Sequence, residues 1–293
     1  MLREKIEAYA ERGSGSKKSI GEWLLGVGGN VKNHSMQQVA FRTYVSKATL
    51  VRFAKGLGFD GWPSFADAWS KECYFADKHN DVVDCNYPFS SSDSLHEISE
   101  ALCSLMHESL NETIELLDPV QLARAVSILC KSRRVFVLGM SPNTDLAELF
   151  KRKMLTIGRW VHVMHSQGNY HYEVAMLSPE DCAIVVSYSG DNPSRYPTSF
   201  IDEIHNRRIP VIAITGRGNR YLREFSDATI SMASQERLYS KVATFATEES
   251  LQYIFNLLFS GCFVEDYDEN LAYKIHVSQK REGARRPSCG DAV

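Results

Sequence analysis

Unbroken apolar runs constrain this chain more than any other feature. Arg134–Gly139, Asp181–Ser187 and Pro210–Thr215 hold Val135-Phe136-Val137-Leu138, Cys182-Ala183-Ile184-Val185-Val186 and Val211-Ile212-Ala213-Ile214. Successive strand residues point to opposite faces, so a strand of this kind must be covered on both. A parallel sheet between two layers of helices provides that cover. The segments between the runs agree. Thr144 to Ile157 carries Leu146, Leu149, Phe150 and Leu155 at helical spacing, and Trp160–Met164 reads as a further strand. The spacing predicts a helix over Ser194–Arg207 and a short fifth strand over Ala228–Ser231. A long apolar helix follows from Glu248 to Glu265, through Leu251, Ile254, Phe255, Leu258, Phe259, Cys262 and Phe263. The expectation is an α/β domain with a five-stranded parallel sheet and helices on both faces.

The chain is long enough at 293 residues for a second domain. Its charge divides unevenly. Residues 1–80 hold 12 Lys+Arg against 8 Asp+Glu, and the remainder holds 21 against 28. Between Glu22 and Asp60 there is no carboxylate, while Lys32, Arg42, Lys47, Arg52 and Lys55 all occur. A one-sided basic stretch is the footprint of a surface that meets phosphates, or simply a solvated helix face. Residues 79–94, polar and turn-rich, read as a linker between domains at 1–78 and 95–277. Ser94 and Glu97 form a capping box for the helix that follows. A second helix starts at Pro119. Residues 278–293, with four basic residues, Gly and Pro, read as a disordered tail.

No run approaches the roughly 18 apolar residues of a membrane span, and the N-terminus has no apolar signal core. Seven cysteines without a Cys-x-x-Cys pair argue against a disulfide framework and a zinc ribbon. A reduced, cytoplasmic protein with no metal and no cofactor is expected.

Within the basic stretch, Met36, Val39 and Ala40 form the inner face of one short helix, and Leu50, Phe53, Ala54 and Leu57 that of another. Val45 is a buried turn residue, Ser46 a strong N-cap, and Gly58 a helix end. This is an all-α helix-turn-helix. Tyr44 occupies the turn position usually held by Gly, where the backbone tends to be left-handed. Ser46, Lys47, Ala48, Thr49, Val51, Arg52 and Lys55 are the candidate DNA-contacting residues. Those at the start of such a helix reach base edges and the later cations reach phosphate. The run S-K-A-T-L-V-R-F-A-K-G-L-G-F-D-G resembles the signature of the RpiR family of bacterial transcriptional regulators, matching at Ser46, Thr49, Arg52, Phe53, Leu57, Gly58, Phe59 and Gly61. The resemblance implies that a sugar isomerase (SIS) domain follows, a flavodoxin-like fold.

In such sheets ligands sit at the carboxyl ends of the strands. The loop Ser187-Tyr188-Ser189-Gly190-Asp191-Asn192 offers hydroxyls, a Gly and a following helix start, the set a phosphate needs. It is similar to the S-x-S-G-[ED]-[ST] motif of SIS domains, which bind phosphorylated sugars, with Asn192 in place of Thr or Ser. After the first strand the family pattern is G-x-G-x-S. Here Gly139-Met140-Ser141-Pro142-Asn143 departs from it at Ser141 and Asn143. Glu248, in Thr247-Glu248, stands where the family often shows Arg. The candidate ligand residues are Ser141, Asn143, Ser187, Ser189, Gly190, Asn192 and Glu248. His162, His165 and His171 fall between the second and third strands, and Arg217, Arg220 and Arg223 read as a solvated or interface face.

The expectation is therefore a non-enzymatic regulator. Its partners are an inverted-repeat DNA operator, a phosphorylated sugar, and further copies of itself as a homodimer or tetramer, with no membrane. Two alternatives stay open. A phosphosugar isomerase would take its base from Glu248 or His171. An architectural DNA-binding protein would have lost the ligand through the Asn143 and Asn192 departures.

Overall fold

The computed structural model describes residues 2–78, 83–165, 169–190, 192–216, 220–233, 235–237 and 239–282. The chain divides into two compact units, Met1–Asn111 with Ser234–Thr247, and Glu112–Ala233 with Glu248–Val293.

The first unit is helical. It contains α1 (Leu2–Arg12), α2 (Ser16–Val27), a 3-10 turn at Gly28–Asn33, α3 (Met36–Arg42), α4 (Lys47–Gly56) and α5 (Trp62–Lys78). Its core gathers Ile6, Ile20, Leu24, Val39, Leu50, Phe53, Ala54, Phe65 and Trp69. Val39, Ala40, Leu50, Phe53 and Ala54 are buried as their spacing requires, and Met36, Val45 and Leu57 pack at the edge. Phe53 meets Tyr9 and Phe65 edge-on, at 5.6 and 5.7 Å between ring centres. Local hydrogen bonds fix the helix starts. Ser35 Oγ accepts from Gln38 N at 3.3 Å while Gln38 Oε1 accepts from Ser35 N at 2.8 Å, a capping box on α3. Ser46 Oγ accepts from Thr49 N at 3.1 Å at the head of α4. Tyr44, in the turn between them, is left-handed with φ 55°.

The helix α6 (Leu95–Leu116) opens with the expected capping box, Glu97 N donating to Ser94 Oγ and Ser94 N to Glu97 Oε2. The second unit then runs α7 (Pro119–Lys131), β1 (Val135–Leu138), α8 (Asn143–Leu155), β2 (Val161–Met164), α9 (Tyr170–Ala175), β3 (Cys182–Ser187), α10 (Ile201–Asn206), β4 (Val211–Thr215), α11 (Tyr221–Glu224), β5 (Ala228–Ser231), α12 (Phe245–Glu265) and α13 (Tyr267–Glu282). The five strands are all parallel in the order β2-β1-β3-β4-β5, with Val135 opposite both Val161 and Cys182. Alternate strand residues serve opposite cores. Val135, Val137, Ile184, Val186, Ile212 and Ile214 pack with α7, α8 and α12. Phe136, Leu138, Ala183, Val185, Val211 and Ala213 pack with α9, α10 and α11. That two-sided burial is why the strands are apolar throughout.

Two expectations are corrected. The helix predicted over Ser194–Arg207 begins only with a 3-10 turn at Thr198–Phe200 and α10 at Ile201. Pro197 is the reason, because the residue before a proline is pushed out of the α region. Ser194 N instead donates to Asn192 Oδ1 at 3.0 Å, and Thr198 Oγ1 donates to Arg195 O at 2.8 Å. The tail predicted from Ser278 is helical through Glu282, since nothing between Tyr267 and Glu282 is Gly or Pro. Residues 283–293 lie outside the described residues. Cys73, Cys182 and Cys262 are buried thiols, Cys85 and Cys130 are half-buried, Cys103 is exposed, and none of these six forms a disulfide.

Candidate nucleic-acid and ligand sites

On α4, the inner face takes Leu50, Phe53 and Ala54 into the core, so the opposite face is turned to solvent. Lys47, Ala48, Arg52 and Lys55 are exposed there, while Thr49 and Val51 are half-buried. Ser46 and Thr49 share a hydroxyl contact of 2.9 Å, and Arg52 Nη2 donates to Thr49 Oγ1 at 3.4 Å. Lys47 Nζ donates to Gln37 Oε1 on α3 at 3.2 Å, so the start of α4 and the exposed side of α3 form one surface. Lys32 is spent elsewhere. It pairs with Asp67, which also meets Lys71 at 2.8 Å, and these cations hold the Asp67 carboxyl down at about 2. Among the described residues, Arg42, Lys47, Arg52 and Lys55 have no carboxylate partner.

Of the candidate ligand residues, Ser141 and Asn143 follow β1, and Ser187, Ser189, Gly190 and Asn192 lie at or beyond the end of β3. These two strands are neighbours, and it is between them that the chain order of the sheet reverses. A crevice at that reversal is the general ligand position of open parallel sheets. Gly139 lies beside β3 and the head of α8, where a Cβ would rest in ordinary contact, 3.5 Å from Val186 O and 3.6 Å from Asn143 Cβ. Asn143 opens α8 and donates its backbone N–H to Met140 O at 2.8 Å. Ser141 Oγ donates to Asp145 Oδ2 at 2.8 Å. Beyond β3, Ser187 Oγ accepts from Gly190 N at 3.1 Å, and Thr215 Oγ1 donates to Ser187 O at 2.7 Å. Gly190 is left-handed and buried, whereas Ser189 and Asn192 are exposed. Asp191 lies outside the described residues. Because α10 starts late, no α-helix N-terminus stands immediately behind this loop. Glu248 is half-buried in the first turn of α12.

Three residues make contacts that carry no local sequence signal. Tyr196 accepts a 3.3 Å hydrogen bond from Gly139 N, reaches Met164 O at 3.5 Å, and stacks on Tyr170 at 3.9 Å between ring centres. Burial pushes its phenol well above the ordinary range. Asp145 holds Ser141, as described. Glu236 is buried and caps α12 from a distance in sequence. It accepts from Ala246 N at 2.7 Å, Thr247 N at 3.3 Å and Thr247 Oγ1 at 2.8 Å, with Lys241 Nζ at 3.5 Å. Burial, the strongest influence, raises its carboxyl above the usual range despite those donors.

Other expectations change. His162 lies on β2 itself, not in a loop, stacked on Trp160 at 5.7 Å and 3.5 Å from Glu173. His165 pairs with Glu148 at 3.0 Å, and His171 on α9 meets the Phe200 ring at 5.0 Å. Arg223 is no solvated residue. Its Nη2 donates to Gly216 O at 3.1 Å and Ser231 Oγ at 2.8 Å, tying the ends of β4 and β5, and burial lowers its guanidinium pKa. Arg220 precedes α11, and Arg217 lies outside the described residues. Among the described residues no His, Cys, Asp and Glu cluster could hold a metal ion, and no helix is long and apolar enough to cross a membrane.

A helix-turn-helix followed by a five-stranded parallel α/β unit defines a class of two-domain proteins, and comparison with known proteins identifies it. Residues 1–73 match the helix-turn-helix domain of the rpiR family, and residues 128–252 match the SIS domain. An uncharacterized HTH-type transcriptional regulator of Haemophilus influenzae is 33% identical over 189 residues, 64% of this chain and 64% of that protein, so the chain spans just under two thirds of that relative. The Vibrio vulnificus NanR protein complexed with ManNAc-6P is similar over 98% of this chain and 100% of its own, with TM-score 0.58 and 18% identity. The sugar isomerase domain of an RpiR transcription factor from Sphaerobacter thermophilus is similar over 62% of this chain and 98% of its own, with TM-score 0.53 and 21% identity. At those identities the two structures establish the shared fold alone. The chain thus carries the helix-turn-helix domain of the rpiR family followed by an SIS domain.

Proposed function

We propose that this protein binds DNA through residues 1–78 and senses a phosphorylated sugar through residues 95–277, with residues 79–94 joining the two. It acts as a cytoplasmic homodimer or tetramer on an inverted-repeat operator. One observation carries the DNA reading: α4 turns Lys47, Arg52 and Lys55 to solvent within a stretch that has no carboxylate from Glu22 to Asp60. Lys47, Ala48 and Val51 are the base-reading candidates, Arg52 and Lys55 the phosphate contacts, and Ser46 and Thr49 hold the helix start. Ligand binding shifts the relative placement of two DNA-binding heads, and so changes operator affinity.

The test is fluorescence anisotropy with a duplex from the region upstream of the protein's own gene. Affinity should fall steeply with salt, because each neutralised phosphate releases counterions, and Arg52→Ala should reduce the slope by about one. Binding that ignores salt refutes the reading.

For the ligand, Ser141, Asn143, Ser187, Ser189, Gly190, Asn192 and Glu248 are the proposed contacts. A protein of this fold is known with ManNAc-6P bound, and a sugar phosphate is the class of ligand proposed here. Thermal denaturation against hexose, pentose, amino-sugar and acid-sugar phosphates tests it, since a ligand of the native state raises the midpoint with its concentration. Ser189→Ala should weaken a hit by roughly 1.5–3 kcal/mol, the worth of a hydrogen bond to a charged group. We read the domain as a receptor and not an isomerase. The two candidate bases sit on different elements, and His171 packs on Phe200.

A second reading has its own support. The Ser141 hydroxyl is already engaged by Asp145 and the Gly139 N–H by Tyr196. Two donors of the first loop are thus satisfied internally, and a carboxylate stands beside them. If no sugar phosphate shifts the midpoint, the domain serves assembly only and the protein is an architectural DNA binder.

A further inference from the structure

We propose that Phe41 and Tyr44 extend the DNA-contacting surface, meeting the sugar-phosphate backbone beside the groove that α4 enters. This rests on the DNA-binding reading above. Tyr44 is 93% exposed and Phe41 80%, and Tyr44 is the most exposed large apolar or aromatic side chain among the described residues. Neither makes a side-chain hydrogen bond or ring contact there. Tyr44 also holds φ 55°, a conformation that costs a residue with a Cβ and that Gly adopts freely. Backbone bonds close the turn, Val45 N donating to Ala40 O at 3.0 Å and Tyr44 N to Phe41 O at 3.3 Å, but the Tyr44 ring takes no part in them. A strained residue whose ring faces only solvent points to a partner outside the unit.

The surroundings say which partner. Gln37, Phe41 and Tyr44 are four and three residues apart, which places them along one side of α3 and its exit. Gln37 at the head of that stripe accepts the 3.2 Å hydrogen bond from Lys47. The aromatic stripe is therefore continuous with the surface from which α4 projects its first cation. Arg42 and Lys47 flank Tyr44, both exposed and without a carboxylate partner among the described residues. An aromatic stripe bordered by uncompensated cations is complementary to a polyanion with an apolar sugar edge. Duplex DNA supplies phosphate oxygens to accept from the Tyr44 hydroxyl, and deoxyribose or thymine methyl surface for the Phe41 ring.

The experiment titrates a labelled mixed-sequence DNA duplex with the full-length protein, its Tyr44→Gly, Tyr44→Phe, Phe41→Ala and Arg52→Ala variants, and records the thermal midpoint of each. Tyr44→Gly should keep or raise the midpoint, because the left-handed backbone is relaxed, while weakening duplex binding about tenfold, the worth of one hydrogen bond to a charged acceptor. Tyr44→Phe should lose most of that factor, and Phe41→Ala several-fold. If these three bind as wild type while Arg52→Ala is weakened, DNA binding stands and the present proposal is overturned. If wild type binds no duplex at any salt, both fall together. If the aromatic variants keep DNA affinity but lose self-association by light scattering, the stripe belongs to a second copy of the chain, which also overturns it.

Discussion

Asp181→Asn probes what holds the candidate ligand strands in register. Asp181 directly precedes β3, with no side-chain exposure. Its carboxylate accepts from Arg134 Nε at 2.9 Å and Nη2 at 2.7 Å, and from Ser178 N at 2.9 Å and Oγ at 2.8 Å. Arg134 directly precedes β1, so this cluster joins the starts of the two strands whose far ends carry the Gly139 and Ser187 loops. Removing one partner of a buried pair typically costs 3–5 kcal/mol. Arg134 keeps 23% exposure and a 2.9 Å bond to Met176 O, so it is partly rehydrated and the lower end applies, about 3 kcal/mol. In a unit of this size that lowers the thermal midpoint by roughly 6–12 °C. Far-UV circular dichroism on heating reads it directly. The pH dependence adds a second condition. Burial alone would raise the Asp181 carboxyl, but the Arg134 and Ser178 donors outweigh it and hold the group below its ordinary range. Its stabilisation is thus complete above the unfolded value of about 3.9 and disappears as pH falls through the folded one. The gap between wild type and variant should be constant near neutrality and close in acid. A midpoint change under about 2 °C, or a gap that persists in acid, refutes the reasoning. Pairing Asp181→Leu with Arg134→Met should recover much of the loss, since no buried charge is then left alone.

Two other substitutions have signs set by the structure. In Glu236→Gln the charge disappears from a buried cap whose folded pKa is raised, so wild type should gain stability relative to the variant as pH falls through that raised value; a difference in midpoint that is flat with pH would contradict this. In Gly261→Ala the new Cβ would meet Val126 Cγ2 at 2.5 Å, and valine is too short and stiff to swing aside. Overpacking of about 1–3 kcal/mol should exceed the roughly 1 kcal/mol gained in helix propensity, and the midpoint should drop; a rise would mean that the helix pair yields.

The strands were legible because burial on both faces leaves a mark at every residue. Val135–Leu138, Cys182–Val186 and Val211–Ile214 admit no polar position, and each is a strand of the parallel sheet. The helix-turn-helix was legible for a similar reason: Ser46 caps, Gly58 terminates, and Leu50, Phe53 and Ala54 repeat at helical spacing. Helix ends near prolines were less so. Periodicity carried the predicted helix back to Ser194, whereas the local restriction at Pro197 moved its start to Thr198.

The sequence by itself determined local chemistry: which segments are two-sided strands, which hydroxyls cap, which stretch is free of carboxylates. These properties reside in neighbours along the chain. Only the tertiary structure decided the pairings across it. Tyr196 reaches Gly139 from 57 residues away, Arg223 ties β4 to β5, Lys32 is neutralised by Asp67, and Glu236 caps a helix that starts at Phe245. A hydrogen bond between distant residues is satisfied by geometry alone, and no spacing in the sequence records it.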